Sequence, residues 1–241
     1  MNTVIFIKGK IMDGKIETDL DPIQIAKLIN EKKIIIVKEL FSSEEMYALR
    51  SAVIEWGRQT PLVTIDDFKG NYHSQKAKVS NIQQSPHIFH DYNFNDFTIL
   101  TKSLQQKITN VFDALRLFYN LLTGYIAPLG YLENAHYFHP QLIHYPLGGG
   151  FFGRHNHNLL PQKIGFILSL SKYGVDYKNG GTCFEVNNEV IDIEGKHDIG
   201  DLCMWPNDVD HWVKQSSLED FFDWKSENGR WVATLAYFNP Y

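Results

Sequence analysis

Tyr145-Pro-Leu-Gly-Gly-Gly-Phe-Phe-Gly-Arg-His-Asn-His157 lies in the second half of the chain, and the reading of the whole turns on it. A glycine run leads directly into two histidines one residue apart. Residues two apart on a strand face the same side, so His155 and His157 can address one ion at about 2 Å, the usual metal–imidazole distance. A third histidine, His211, closes Trp205-Pro-Asn-Asp-Val-Asp-His211, and Arg230 follows it. The glycines also satisfy the spacing of a dinucleotide-binding turn, Gly148-x-Gly150-x-x-Gly153. That turn requires a helix immediately after it. Two histidines, Pro161 and Gly165 occupy the place instead, so the glycines are expected to form a tight turn beside a metal.

Moving outward, the chain from Glu133 on is a series of short β-type segments separated by Gly, Asn, Asp and Pro. Strands are expected at 137–145, 163–171, 182–186, 190–193, 201–205, 211–214 and 231–238. Seven short strands in succession indicate a sandwich or barrel. The N-terminal part has a different texture. A strand at 4–7 and a turn at Asp13-Gly14 precede a helix whose Asp21-Pro22 start is a capping residue followed by proline at the first helical position. A buried strand follows at 33–39. Ser42 and Glu45 form a capping-box pattern that opens a helix ending at Gly57. Residues 60–97 read as irregular, and 98–122 as a long amphipathic helix. The expectation is a single domain over 1–241. Residues 1–132 would provide helical support and substrate-side loops, and 133–241 a jelly-roll metal core with the helices outside.

Composition narrows the function. The chain has 241 residues, of which 44% are hydrophobic and 21% charged, with a formal net charge of −5. No basic stripe suits nucleic acid. No stretch approaches the roughly 18–20 apolar residues of a membrane helix. The two cysteines, Cys183 and Cys203, lack metal or redox spacing and read as buried reduced thiols. A soluble, cytoplasmic protein is expected.

A His-x-His pair among ten histidines is unremarkable alone; its flanks give it weight. Arg230, Val232 and Thr234 share one face of the last strand. An arginine turned into a barrel is costly unless an anion meets it. A guanidinium is well shaped to grip a carboxylate through two hydrogen bonds. A metal and an inward arginine together imply a small acid that also binds the metal.

These residues together resemble the iron(II)- and 2-oxoglutarate-dependent oxygenases, in spacing most like the prolyl-hydroxylase-type branch. The resemblance runs from about Gln141 to Phe238. It rests on Tyr145-Pro146, the glycine turn, the His155 pair, Leu168-Ser-Leu-Ser-Lys-Tyr173, Gly180-Gly181-Thr-x-Phe184, Gly200-Asp201, Trp205-Pro206 through His211, and Gly229-Arg230. It implies a mainly β fold, a double-stranded β-helix (a cupin-like jelly roll) with flanking helices. It also implies His155 and His211 as iron ligands and Arg230 as the clamp for the distal carboxylate of 2-oxoglutarate. Tyr145 matches a position where a tyrosine reaches the cosubstrate, and Thr234 would add a hydrogen bond to the same carboxylate. The implied cofactors are Fe(II), 2-oxoglutarate and O2, and the implied reaction is hydroxylation or related C–H oxidation of a small-molecule substrate. Residues 60–97 and 218–228 would shape the substrate pocket, with Phe221, Phe222 and Trp224 forming a lid or packing on the surface.

One position departs from the pattern. The family has Asp or Glu where this chain has His157. Iron(II) with two histidines and one carboxylate carries +1, and with three histidines +2. Three arrangements remain open: His157 as third ligand, His157 turned away, or a carboxylate such as Glu185 or Asp176 completing the set. Two other functions follow from the same residues: a three-histidine metal dioxygenase that does not use 2-oxoglutarate, or an inactive ligand-binding jelly roll.

Overall fold

The computed structural model describes residues 2–66, 69–78, 85–160 and 162–238. The first half of the chain contains β1 (Val4–Met12), β2 (Lys15–Thr18), α1 (Pro22–Asn30), β3 (Ile34–Lys38), α2 (Ser43–Gln59), β4 (Tyr72–Lys78), β5 (His87–Asn93) and α3 (Lys102–Thr123). The second half contains β6 (Tyr137–Pro146), β7 (Phe151–His155), β8 (Ile164–Ser169), β9 (Thr182–Val186), β10 (Glu189–Asp192), β11 (Leu202–Pro206), β12 (Asp210–Val213) and β13 (Gly229–Phe238).

The strands join in the order β10-β9-β12-β7-β5-β6-β13-β8-β11-β3-β1-β2, with β4 added to β5. The middle strands alternate strictly, as side chains on a strand must. Ile143, Tyr145, Ile167, Cys203, Trp205 and Val232 point inward and meet Phe184, Val186 and Val213 from β9 and β12. Their neighbours Leu142, Phe166, Leu168, Leu202, Met204 and Trp231 point outward onto the helices. The sheet therefore folds over on itself around one core and carries its helices on a second. This is the jelly roll with external helices that the sequence implied. No helix among the described residues is long and apolar enough to cross a membrane.

The helix starts follow their local chemistry. Asp21 caps α1 by accepting from the Ile23 N–H, and Ser42 and Glu45 form the reciprocal capping box of α2. The expected stop at Gly57 is not one, because α2 continues to Gln59. Gly57 serves a close approach instead: a Cβ there would lie 2.7 Å from Tyr92 Cε1.

Two differences from the expectation bear on the site. Residues 60–97 are not wholly irregular, since β4 and β5 form an antiparallel pair there. The glycine run is a turn only as far as Gly149, after which β7 begins. Gly153 lies inside β7 with its N–H on the Pro86 carbonyl at 2.7 Å, and a Cβ there would sit 2.8 Å from that oxygen. The part before residue 132 thus contributes β1 to β5 to the sheet as well as all three helices.

Candidate metal centre and anion pocket

His155 is the last residue of β7 and pairs directly with His211 on β12. His157 lies beyond the strand end, and its backbone N–H is held by the Asn207 carbonyl at 3.0 Å. A bend after His155, rather than a straight strand, therefore brings the pair together. Ring centroids are 4.3 Å apart for His155 and His211, 5.0 Å for His155 and His157, and 5.5 Å for His157 and His211. One ring nitrogen from each lies within 4.8 Å of the others, close enough to hold a metal ion.

Two of the rings are pre-set. His155 Nδ1 donates to the Gly153 carbonyl at 2.8 Å, and His211 Nδ1 to the Val209 carbonyl at 2.9 Å. Such bonds fix the tautomer and leave Nε2 bare for a metal. The His157 ring has no hydrogen bond among the described residues, and one side of it is open to solvent. Burial lowers the His155 pKa to about 4 and the His211 pKa to about 3, and packing around the His157 ring lowers that one too. Three neutral imidazoles therefore converge at neutral pH. Neither proposed carboxylate joins them. Glu185 is held by Arg154 at 2.7 Å, and Asp176 by Arg50 at 3.1 Å and the Tyr47 hydroxyl at 2.9 Å.

Arg230, second in β13, is 1% exposed. Its Nη2 donates to Thr182 Oγ1 at 2.6 Å, and the guanidinium carbon lies 5.8 Å from the Tyr145 ring centre. Among the described residues, Nε and Nη1 have no partner. A guanidinium cannot shed its proton, so three N–H bonds of a charged group, on two nitrogens, are buried with nothing among the described residues to accept them. Such a site is matched by a carboxylate that enters from outside. Tyr145 is buried, and burial pushes its hydroxyl up to about 12 against the opposing Arg230 charge, so it stays a neutral donor. Thr234 lies on the Arg230 face of β13, opposite Gln141 and Ile167. The hydroxyl that Arg230 reaches is Thr182. Thr182 was visible in the sequence as the end of Gly180-Gly181-Thr182.

A cavity of about 1050 Å³ opens beside His155 and His157. Its aromatic end is Phe152, stacked on His155 at 4.0 Å, together with Phe89 and His87. At its polar end Lys76 pairs with Asp66 at 2.9 Å and with the fully buried Asp91 at 3.1 Å. His87 was given no role from sequence. It follows the ligand pattern, with Nδ1 on the carbonyl two residues back, Ser85, at 2.9 Å. Of residues 60–97, 63–66, 74–78, 85, 87 and 89 line this cavity. Residues 218–228, expected to shape the pocket as a lid or to pack on the surface, do not line it. They back the glycine turn instead: a Cβ on Gly148 would lie 2.4 Å from the Phe222 backbone nitrogen.

No protein-family profile matches the sequence, and no curated protein matches it. Solved structures do match. A Pseudomonas putida prolyl-4-hydroxylase superimposes with a TM-score of 0.59 at 12% identity, over 92% of this chain and 100% of that one. The fold is that of the 2OG-Fe(II) oxygenases. Two further structures of this kind agree. One is a Trichoplax adhaerens prolyl hydroxylase in complex with a hypoxia inducible factor peptide fragment, with a TM-score of 0.56 and 12% identity over 90% of each chain. The other is a 2OG-Fe(II) oxygenase family protein from Burkholderia pseudomallei, with a TM-score of 0.55 and 9% identity over 91% of each. At such identities the likeness to the 2OG-Fe(II) oxygenases is one of fold. It coincides with the family that the sequence motifs resemble.

Proposed function

We propose that the chain is a non-haem iron oxygenase that couples oxidative decarboxylation of 2-oxoglutarate to oxidation of a substrate C–H bond, by default hydroxylation. The observation that carries this reading is the buried Arg230 with Nε and Nη1 unpartnered, inside the barrel whose rim holds three neutral histidines. A dicarboxylate with a metal-chelating end would satisfy both.

His155, His157 and His211 would hold the metal, and imidazole donors suit iron. Bound iron would supply O2 activation, with 2-oxoglutarate consumed to succinate and CO2. Arg230 and Thr182 would fix the distal carboxylate, with Tyr145 as a neutral neighbour and Thr234 further along the same wall. Three histidines would leave iron(II) with +2; the carboxylate of 2-oxoglutarate at the metal would offset one of these charges, and its distal carboxylate would offset Arg230. Phe89 and Phe152 would exclude water next to the metal. Chain groups thus position and desolvate, and the cofactor supplies the reactivity. The substrate is proposed to be a small molecule, since the cavity lies near the upper end of the usual ligand-site range of about 300–1,000 Å³. The free thiols of Cys183 and Cys203 support a reducing, cytoplasmic setting.

The third histidine favours a second reading, a metal dioxygenase that does not use 2-oxoglutarate. The unpaired Arg230 weighs against it, because that guanidinium would then have no counterion. The test is to load the protein anaerobically with Fe(II) and 2-oxoglutarate, admit O2, and measure succinate. O2-dependent succinate that disappears in His211→Ala is expected; its absence from the wild-type protein sinks the reading.

A further inference from the structure

Directly behind the histidine cluster, one arginine ties three strands. Arg154 on β7 donates through Nε and Nη2 to Asp210 Oδ2 at 2.8 and 2.6 Å, and through Nη1 to Glu185 Oε2 at 2.7 Å. Asp210 Oδ1 accepts from the Asn156 side-chain amide. Asp210 lies on β12 opposite Glu185 on β9. Arg154 and Asn156 flank His155, and Asp210 immediately precedes His211. One carboxylate therefore grips both neighbours of one histidine while sitting next to another.

The charges matter as much as the geometry. Asp210 and Glu185 bring two negative charges and Arg154 one positive, which leaves one net negative charge behind the imidazoles. Two histidines and a carboxylate would give an iron(II) ion a net charge of +1. Three histidines and this cluster give the same total, with the anion moved out of contact with the metal.

We propose that Asp210 is a positioning residue of the metal centre. Through Arg154 and Asn156 it holds His155 against His211, and with Glu185 it carries the negative charge that the three-histidine set lacks. This rests on the metal reading of the histidine cluster. Partners that orient metal ligands are worth about 10–100-fold in metal affinity.

The test is a titration with Co(II), read by its visible d–d bands, alongside the Fe(III)/Fe(II) potential and the thermal midpoint of each variant. Wild-type protein is expected to take up one Co(II), lost in His211→Ala. Asp210→Asn, which keeps the shape of the side chain, is expected to weaken Co(II) binding about 10–100-fold. Glu185→Gln weakens it less, and Asp210→Glu restores much of it. Both neutral variants raise the iron potential, because lost negative charge favours the ferrous state; a purely structural role would not do this. Asp210→Asn and Glu185→Gln with wild-type Co(II) affinity overturn the proposal. Weaker affinity with an unmoved potential overturns the charge assignment. Wild-type protein that takes up no Co(II) overturns the metal reading itself, a result distinct from either.

Discussion

His155 and His211 stand opposite each other across the β7–β12 pair, with ring centroids 4.3 Å apart and each Nδ1 held by the carbonyl two residues earlier. Both Nε2 atoms are thereby pre-aimed, while His157 is held only through its backbone. His155→Ala and His211→Ala are expected to abolish stoichiometric metal uptake. His157→Asp returns a carboxylate to the cluster and is expected to tighten Fe(II) binding and change turnover. Metal analysis and succinate assays check both. An unchanged affinity and rate in His157→Asp would remove His157 from the ligand set.

Arg230 is expected to separate stability from ligand binding. Its unpaired N–H groups cost the metal-free fold about 1–3 kcal/mol. Arg230→Met should therefore unfold in urea at the same midpoint or a higher one. The same substitution should weaken 2-oxoglutarate binding by roughly 30-fold or more, since removing one partner of a buried charge pair costs about 2–5 kcal/mol. A large fall in urea midpoint would mean that Arg230 already has its counterion.

Gly165 pairs with Trp205 across β8 and β11, and a Cβ on Gly165 would meet Trp205 Cε2 at 2.3 Å. Trp205 in turn packs on His211 with ring centroids 5.0 Å apart. Gly165→Ala is expected to destabilise the fold by about 1–3 kcal/mol through overpacking and to weaken metal uptake by displacing His211. Calorimetry with a metal titration checks this; a silent substitution would mean that the indole moves without cost.

Acid should unfold the metal-free protein through its buried neutral histidines. His144 stacks on Trp231 at 4.4 Å and donates through Nε2 to the Asn228 carbonyl at 2.9 Å, and burial lowers its pKa from 6.5 to about 4. Below 6.5 the unfolded chain takes a proton that the folded ring refuses. The contribution of His144 is thus complete above that pH and is lost between 6.5 and about 4. The slope is about 1.4 kcal/mol per pH unit for each such ring. Urea unfolding from pH 7.5 to 4 measures it, and His144→Gln, which keeps the donor, should flatten the profile. A profile unchanged by that variant contradicts the assignment.

The sequence disclosed the parts whose chemistry is local. The Asp21 and Ser42 caps and the alternation of β6, β11 and β13 could be read directly, and the spacing of His155, His211 and Arg230 carried the resemblance. It hid β4 and β5 because His73, Ser74, His90, Asp91 and Asn93 are buried polar groups that satisfy one another. Their burial erases the apolar alternation by which a strand is recognised. It hid β7 because three glycines read as a turn, whereas Gly153 lies in a strand for the approach of Pro86. Thr182 as the arginine's hydroxyl partner, and Arg154 as a strap over β9 and β12, depend on contacts between distant segments that no spacing encodes.

On the proposed reading, one dicarboxylate would bridge Arg230 and a metal held by the three histidines. Anaerobic titration of the Fe(II)-loaded protein with 2-oxoglutarate, followed by visible absorption, tests it most directly. A metal-to-ligand charge-transfer band is expected that saturates at one 2-oxoglutarate per chain and needs far more of it in Arg230→Met. No band in the wild-type protein, or the same titration curve in both proteins, would contradict it.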